Sequence, residues 1–369
     1  MPPVNYAGKL VLAPMVRIGE FPFRLLALKY GADLVWGPEI VDRKILDCKR
    51  VVNDKLHTID YVLASNASQV IFRTDKRLEK DKVIFQLGTA SPELAVQAAS
   101  KVAADVAGID LNSGCPKHFS VHSGMGAGLL KTPDKLVAIL EALVTEVGKK
   151  FDIGISVKIR ILDTPEETFT LVRRLVKTGI SALTVHCRKV PMRPRERAIP
   201  DEYLAGIAEI CHAAGIPCIA NGDVTCRDDF NRIKKQYGVD SAMIAVAAES
   251  NVSCFAAKTK NDVKPWSEIV KNLYDLCKST DNHYSNSKFM LLRFTPGKSP
   301  MYQRIAQSKS YKQGDEVMAE LANEQPQVNE RQLDGNKRKL ENEERTTDKR
   351  KTAKINLDVS SGVTVSLVG

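Results

Sequence analysis

Val106-Ala-Gly-Ile-Asp-Leu-Asn-Ser-Gly-Cys-Pro116, followed by a glycine-rich run over 123–128 and by Leu129-Leu130-Lys131, is the stretch from which the fold can be read. Its opening residues are apolar except for a carboxylate, Asp110, and an amide, Asn112, as in a buried strand that turns polar at its carboxyl end. Gly114 then turns the chain, and Thr132-Pro133 opens a helix predicted to end near residue 148. A strand that delivers a side chain at its end and hands over to a helix is the unit of a parallel α/β fold. A cysteine is ordinarily a small core hydrophobe. Cys115, however, sits between glycine and proline in a turn, where side chains rarely face a core, and it is the residue to explain.

The same cadence extends in both directions. Strands are expected at 9–15, 33–39, 83–87, 106–112, 153–159, 182–186, 217–220 and 241–246, with helices at 22–30, 91–104, 133–148, 165–177, 200–214 and 227–237 between them. An insertion with alternating segments 57–63 and 69–73 reads as a β-hairpin. Eight strand–helix units point to a closed (β/α)8 TIM barrel. An open dinucleotide-binding sheet loses its main support because no GxGxxG follows the first strand. Past residue 251 the period changes, and 265–279, 283–294 and 300–308 read as helices without intervening strands. The expected organisation is a barrel over 1–250, a small all-α domain over 251–321 and a charged, disordered tail over 322–369. Within the tail, Lys337-Arg-Lys339 and Lys349-Arg-Lys351 are either solvated charge or a nuclear-localisation or RNA-contacting segment.

Composition narrows the class. A chain of 369 residues with 43% hydrophobic content can build one large α/β unit plus an accessory module, and a formal charge of +10 favours an anionic partner. The eight cysteines form no CxxC pair and follow no secretory segment, so reduced thiols in an intracellular compartment are expected. No apolar run approaches the roughly 20 residues of a membrane span. The opening Met-Pro-Pro-Val-Asn-Tyr lacks a transit-peptide pattern, so cytoplasmic and/or nuclear residence is expected, with no membrane partner and a monomeric chain.

In a (β/α)8 barrel the reactive groups stand at the carboxyl ends of the strands. Those ends carry Pro14-Met15-Val16, Gln86, Asn112 with Cys115, Lys158, His186, Asn221-Gly222-Asp223 and Ala245-Val246. Taken singly, a lysine or histidine there is more often structural. A lysine, a histidine and a glutamine on one rim suit an anionic, hydrogen-bonding ring system such as a flavin. Lys158 and Gln86 would then face the pyrimidine edge, and His186 the ring or the phosphate. The loops after the seventh and eighth strands, the usual phosphate site of this fold, carry Asn221 to Asp223 and Ala245-Val246.

Asp110-Leu-Asn-Ser-Gly-Cys-Pro116 with Gly124-Met-Gly-Ala127 and Leu129-Leu130 resembles the signature of the flavin-dependent tRNA-dihydrouridine synthases. Leu12-Ala-Pro-Met15, Gln86-Leu-Gly88, Val157-Lys-Ile-Arg160, Thr184-Val-His186 with Arg188, and Asn221-Gly222 are similar to that family's FMN-contacting motifs. Asp281-Asn-His-Tyr284 and Asn286-Ser-Lys288-Phe289 look like the eukaryotic branch that reduces uridine 20 of the D-loop, and the resemblance covers roughly residues 9–310. It implies FMN as cofactor, NADPH or NADH as reductant, tRNA as substrate, a tRNA-binding helical domain and Cys115 as the proton donor. Two departures stand out. Ala245-Val246 replaces the family's Gly-Arg or Ala-Arg, and Cys187 follows the sixth-strand histidine where glycine or alanine is usual.

Uracil reduction adds hydride to C6, from reduced flavin, and a proton to C5, from a positioned acid. A thiol with an ordinary pKa of about 8.5 beside an anionic reduced flavin stays protonated, unlike a nucleophilic cysteine. His118 and His122 add no metal site: Cys-x2-His-x3-His in a glycine-rich loop is not a usual zinc arrangement and lacks a fourth ligand. A base in a folded D-loop must be flipped out to reach a barrel mouth, with phosphate contacts holding the rest. Arg188, Lys189, Arg193, Arg195 and Arg197, after the sixth strand, form the best basic patch for RNA, and Lys288 and Arg293 are weaker candidates. Two other readings remain: a flavin barrel that oxidises or reduces a small molecule, resembling dihydroorotate dehydrogenase, and an RNA-binding barrel that has lost FMN.

Overall fold

The computed structural model describes residues 4–79, 81–193 and 196–323. Arg195 and the tail with its basic clusters lie outside the described residues. The described strands are β1 (Leu10–Leu12), β2 (Leu34–Trp36), β3 (Ile40–Val41), β4 (Cys48–Asn53), β5 (Thr58–Leu63), β6 (Asn66–Thr74), β7 (Val83–Gly88), β8 (Gly108–Ser113), β9 (Gly154–Arg160), β10 (Ala182–His186), β11 (Cys218–Asn221) and β12 (Ser241–Ile244). Parallel pairing runs β2-β1-β12-β11-β10-β9-β8-β7, and a β2–β7 pair closes the ring, giving the expected eight-stranded barrel. The short β3 resumes the path of β2 and also pairs with β7.

Side chains alternate along a strand, so every second residue faces the barrel interior. Low in the barrel those residues are apolar: Val11, Ala13, Leu34, Trp36, Ile84, Ala182, Ile219 and Met243 share one buried cluster. Toward the carboxyl ends the same faces turn polar, layer by layer. Register aligns Gln86, Asp110 and Ser156, then Asn112, Lys158 and Thr184, then Arg160, His186 and Asn221. The polar residues of Gly108-x-Asp-x-Asn112, Ser156-x-Lys-x-Arg160 and Thr184-x-His186 are thus one surface.

Helices are set by local chemistry at their starts. Pro165 occupies the first turn of Pro165–Val176, where its missing N–H costs nothing, and Thr164 and Glu167 form a reciprocal capping box. Ser91 caps Pro92–Val102 by accepting the Leu94 N–H at 3.2 Å, an interaction of about 1 kcal/mol.

The insertion is richer than the expected hairpin. It is a three-stranded antiparallel sheet, β4-β5-β6. β4 lacks an alternating pattern because it is an exposed edge, and pairing with β5 rather than propensity makes it a strand. Arg73 ties this sheet to the chain after the barrel, pairing with Asp60 at 2.6 Å and donating to the Thr280 carbonyl. Arg24 and Glu79 form a fully buried ion pair nearby. After the barrel come Trp266–Ser279, Tyr284–Phe294 and Pro300–Gln307, as expected, and a further helix, Tyr311–Asn323. Phe23 stacks on Phe294 with ring centroids 5.7 Å apart, and Tyr30 donates to Glu268, so the first two appended helices pack on the first barrel helix, Phe21–Lys29.

Candidate active site

Cys115 is the one cysteine of the eight that is not buried. Its turn is folded by Asn112, whose Oδ1 accepts the backbone N–H groups of Gly114 and Cys115, each at 3.0 Å. Arg160, from the next strand, donates from Nε to the Gly114 carbonyl (2.9 Å) and from Nη1 to the Lys189 carbonyl (3.0 Å), bracing the thiol's turn against the loop after β10. The glycine-rich run packs on the other side. Gly126 has φ +55°, and a Cβ there would lie 2.7 Å from the Cys115 carbonyl, so only glycine fits.

Beneath the thiol lies a closed polar network. Gln86 Nε2 donates to Asp110 Oδ2 (2.9 Å), Ser156 Oγ to Asp110 Oδ1 (2.7 Å), and Asn112 Nδ2 to Gln86 Oε1 (3.3 Å). Burial pushes the Asp110 carboxyl up to about 6, against the lowering effect of these donors and of Lys158. Lys158 is half-buried, and among the described residues no group accepts a hydrogen bond from its ammonium. Burial, and then the charge of Arg160, push it down to about 8.

His186 meets the same cations. Burial, then Lys158, Arg160 and Arg188, push its imidazole down to about 2, so the ring is neutral. A guanidinium can only donate, so the 3.1 Å approach of Arg188 Nη1 makes Nε2 the acceptor and leaves the proton on Nδ1. Arg188 is buried at 6% exposure: Nε donates to the Glu196 carbonyl at 2.7 Å, and Nη2 pairs with Asp223. Its guanidinium belongs to the wall of the mouth and is not the exposed cation expected from the run of basic residues. Lys189 donates to the Asp163 carbonyl at 2.7 Å, while Arg193 and Arg197 are exposed. Lys288 caps a helix end, donating to Ala306 and Ser308 carbonyls, and Arg293 pairs with Glu249. The second thiol, Cys187, is buried at 2% exposure just past the end of β10.

The turn after β11 is held shut from within. Asn221 Nδ2 donates to the Met243 carbonyl (3.0 Å), Gly222 has φ +125°, and Asp223 Oδ2 accepts the Ala198 N–H at 2.7 Å. Ala245 is half-buried and Val246 is 65% exposed at the other expected phosphate loop. Pro14 and Met15 are half-buried and Val16 is exposed on the loop after β1. Reading strand ends gave no role to three groups: Arg160 and Asp110, which stand in the quoted motifs, and Glu39. The first two continue the period-two faces of Lys158 and Asn112, a signal present in the sequence. Glu39 stands at the end of the expected strand 33–39, but the short β3 that places it was announced by no pattern.

This donor set fits a flavin: an ammonium without an acceptor, a neutral imidazole with a free N–H, and three mutually repelling cations above a satisfied amide network. Among the described residues no group of three or more His, Cys, Asp or Glu side chains could hold a metal ion, and no helix is long and apolar enough to cross a membrane. Fold and mouth together define a (β/α)8-barrel enzyme with one accessible thiol among cations.

Residues 11–347 match the family model described as Dihydrouridine synthase (Dus). The chain is 49% identical over 327 residues to a tRNA-dihydrouridine(20) synthase (NAD(P)+) of Saccharomyces cerevisiae, covering 86% of this chain and 85% of the relative. It is 51% identical over 297 residues to the Schizosaccharomyces pombe protein of the same name, covering 80% of this chain and 61% of that one. A tRNA-dihydrouridine(20a/20b) synthase (NAD(P)+)-like protein of Mus musculus is 30% identical over 264 residues, covering 70% and 73%. The chain belongs to the dihydrouridine synthase family, an oxidoreductase family, as its motifs led one to expect.

Proposed function

We propose that this chain reduces the C5=C6 bond of a uridine in the tRNA D-loop, at position 20, with FMN as its flavin and NADPH or NADH as reductant. The relatives at 49% and 51% identity carry position 20 in their names, and those named for positions 20a/20b stand at 30% identity. The observation that carries the reading is the half-exposed Cys115 thiol, aimed by Asn112 and Arg160 into a mouth rich in positive charge.

When bound, the flavin supplies hydride to C6 of the pyrimidine. Lys158, Gln86 and the Nδ1–H of His186 would hold its ring, with Met15 and its neighbours against it, and the loops bearing Gly222 and Val246 would receive its phosphate. Cys115 gives its proton to C5: the S–H bond breaks, the electron pair stays on sulfur, and the thiolate takes a proton back from solvent. Burial raises the thiol, which keeps it in the acid form before the step. Arg193 and Arg197, exposed on the rim, would contact RNA phosphates while the uridine is flipped into the mouth. Cytoplasmic or nuclear residence, where tRNA is made and used, is part of the same proposal.

Cys115→Ala tests the reading. The variant should bind tRNA and flavin as the parent does and fall by at least about 10²-fold in single-turnover uridine reduction, the range for removal of a general acid. An unimpaired turnover would remove Cys115 from the mechanism.

A further inference from the structure

Glu39 follows β2, and the pairing of β3 with β7 (Ile40 with Leu87, Val41 with Gly88) lays it over the end of β7. Its carboxylate occupies the space a side chain at 88 would fill, since a Cβ on Gly88 would lie 2.6 Å from Oε1 and 3.3 Å from Cδ. Oε1 is buried and has no hydrogen-bond partner among the described residues. A buried carboxylate oxygen left without a donor is unusual, because its desolvation goes uncompensated. Burial raises the Glu39 carboxyl, and the two groups that face it, the Cys115 thiol and the Lys117 ammonium, favour its charged form.

Burial raises the thiol most, and among the described residues four charged side chains also act on it: Glu39, Lys117, Lys158 and Arg160. Three are cations, and cations around a cysteine ordinarily create a thiolate. Glu39 is the one that opposes them. We propose that Glu39 is the positioning residue for the Cys115 proton, its carboxylate facing the S–H and holding it in the acid form that the reduction requires. The inference rests on the proposed role of Cys115 as proton donor, but the interaction it invokes can be measured without turnover.

The test is iodoacetamide alkylation of the flavin-loaded, oxidised full chain as a function of pH, read on the Cys115 peptide by mass; the other seven cysteines are buried. Glu39→Gln should lower the alkylation midpoint by about one pH unit, about 10-fold more thiolate at a fixed pH below it. Glu39→Asp should stay near the parent. Gly88→Ala, which displaces the carboxylate without removing its charge, should move the midpoint in the direction of Glu39→Gln. Lys117→Met should move it upward. In single turnovers Glu39→Gln should slow uridine reduction with the tRNA Kd unchanged. An unchanged midpoint in both Glu39→Gln and Gly88→Ala overturns the proposal. If the midpoints shift as stated but Cys115→Ala still reduces uridine at the parent rate, the Glu39–Cys115 pairing stands and the proton-donor reading falls.

Discussion

Oδ1 of Asn112 accepts the backbone N–H of Cys115 at 3.0 Å, and one side-chain amide thereby folds the turn on which the thiol stands. The same amide donates to Gln86, so the turn is anchored to the buried network below it. Asn112→Ala removes all three of its side-chain hydrogen bonds, with Gly114, Cys115 and Gln86, and lets the thiol drift. A misplacement of about 1 Å costs on the order of 10²-fold in rate. Single-turnover reduction should fall by that factor, with the tRNA Kd unchanged; a parent-like rate would mean that Arg160 and the glycine run suffice.

Asp110 makes a prediction about stability. Its carboxyl is raised from 3.8 to about 6 in the folded state, mainly by burial. A raised carboxyl contributes stability that is complete below the unfolded value and is lost as pH rises through the folded one. The parent should therefore gain on the order of 2–3 kcal/mol relative to Asp110→Asn as pH falls from 7 to 4. Urea midpoints of the two chains at each pH measure it, and parallel curves would show that Asp110 is not buried as described.

Lys158 titrates near the working range. With its ammonium pushed down to about 8, its charge is lost as pH rises from 7 to 9, and an anionic ligand should bind less tightly across that window. Lys158→Arg, which cannot titrate there, should show a flat FMN affinity, and Lys158→Met should bind roughly 10- to 100-fold more weakly at pH 7. Fluorescence titration of FMN at several pH values reads both; equal pH dependence in parent and Lys158→Arg would exclude the lysine as its source.

Arg193 and Arg197 are exposed beside the mouth, unlike Arg188. Changing each to glutamine should weaken tRNA binding for all sequences alike and reduce the slope of log Kd against log salt by about 1 for each phosphate no longer neutralised. A slope identical to the parent's would place the RNA elsewhere on the rim.

Much of this was legible in the residue order. Apolar runs such as Val83–Gly88, bounded by turn residues, read as strands buried on both faces, and amphipathic segments opened by Ser91-Pro92 or Thr164-Pro165 read as helices laid on them; eight alternations of the two point to a closed barrel. The thiol was legible too, because Gly114-Cys115-Pro116 is a turn whatever surrounds it. Those are local properties, settled by backbone sterics and by which face of an element is apolar.

What only the tertiary structure decided is which polar groups meet. Asp110 bonds to Gln86 and Ser156, 24 and 46 residues away along the chain, through a register that the closed sheet alone creates. Arg188 sits in a run of basic residues expected to meet RNA, yet Asp223, 35 residues away, draws its guanidinium inward. Glu39 reaches Cys115 only because the two-residue strand β3 pairs with β7. Burial and charge at a site are sums over neighbours distant in the chain, so they take their values only when the barrel has closed.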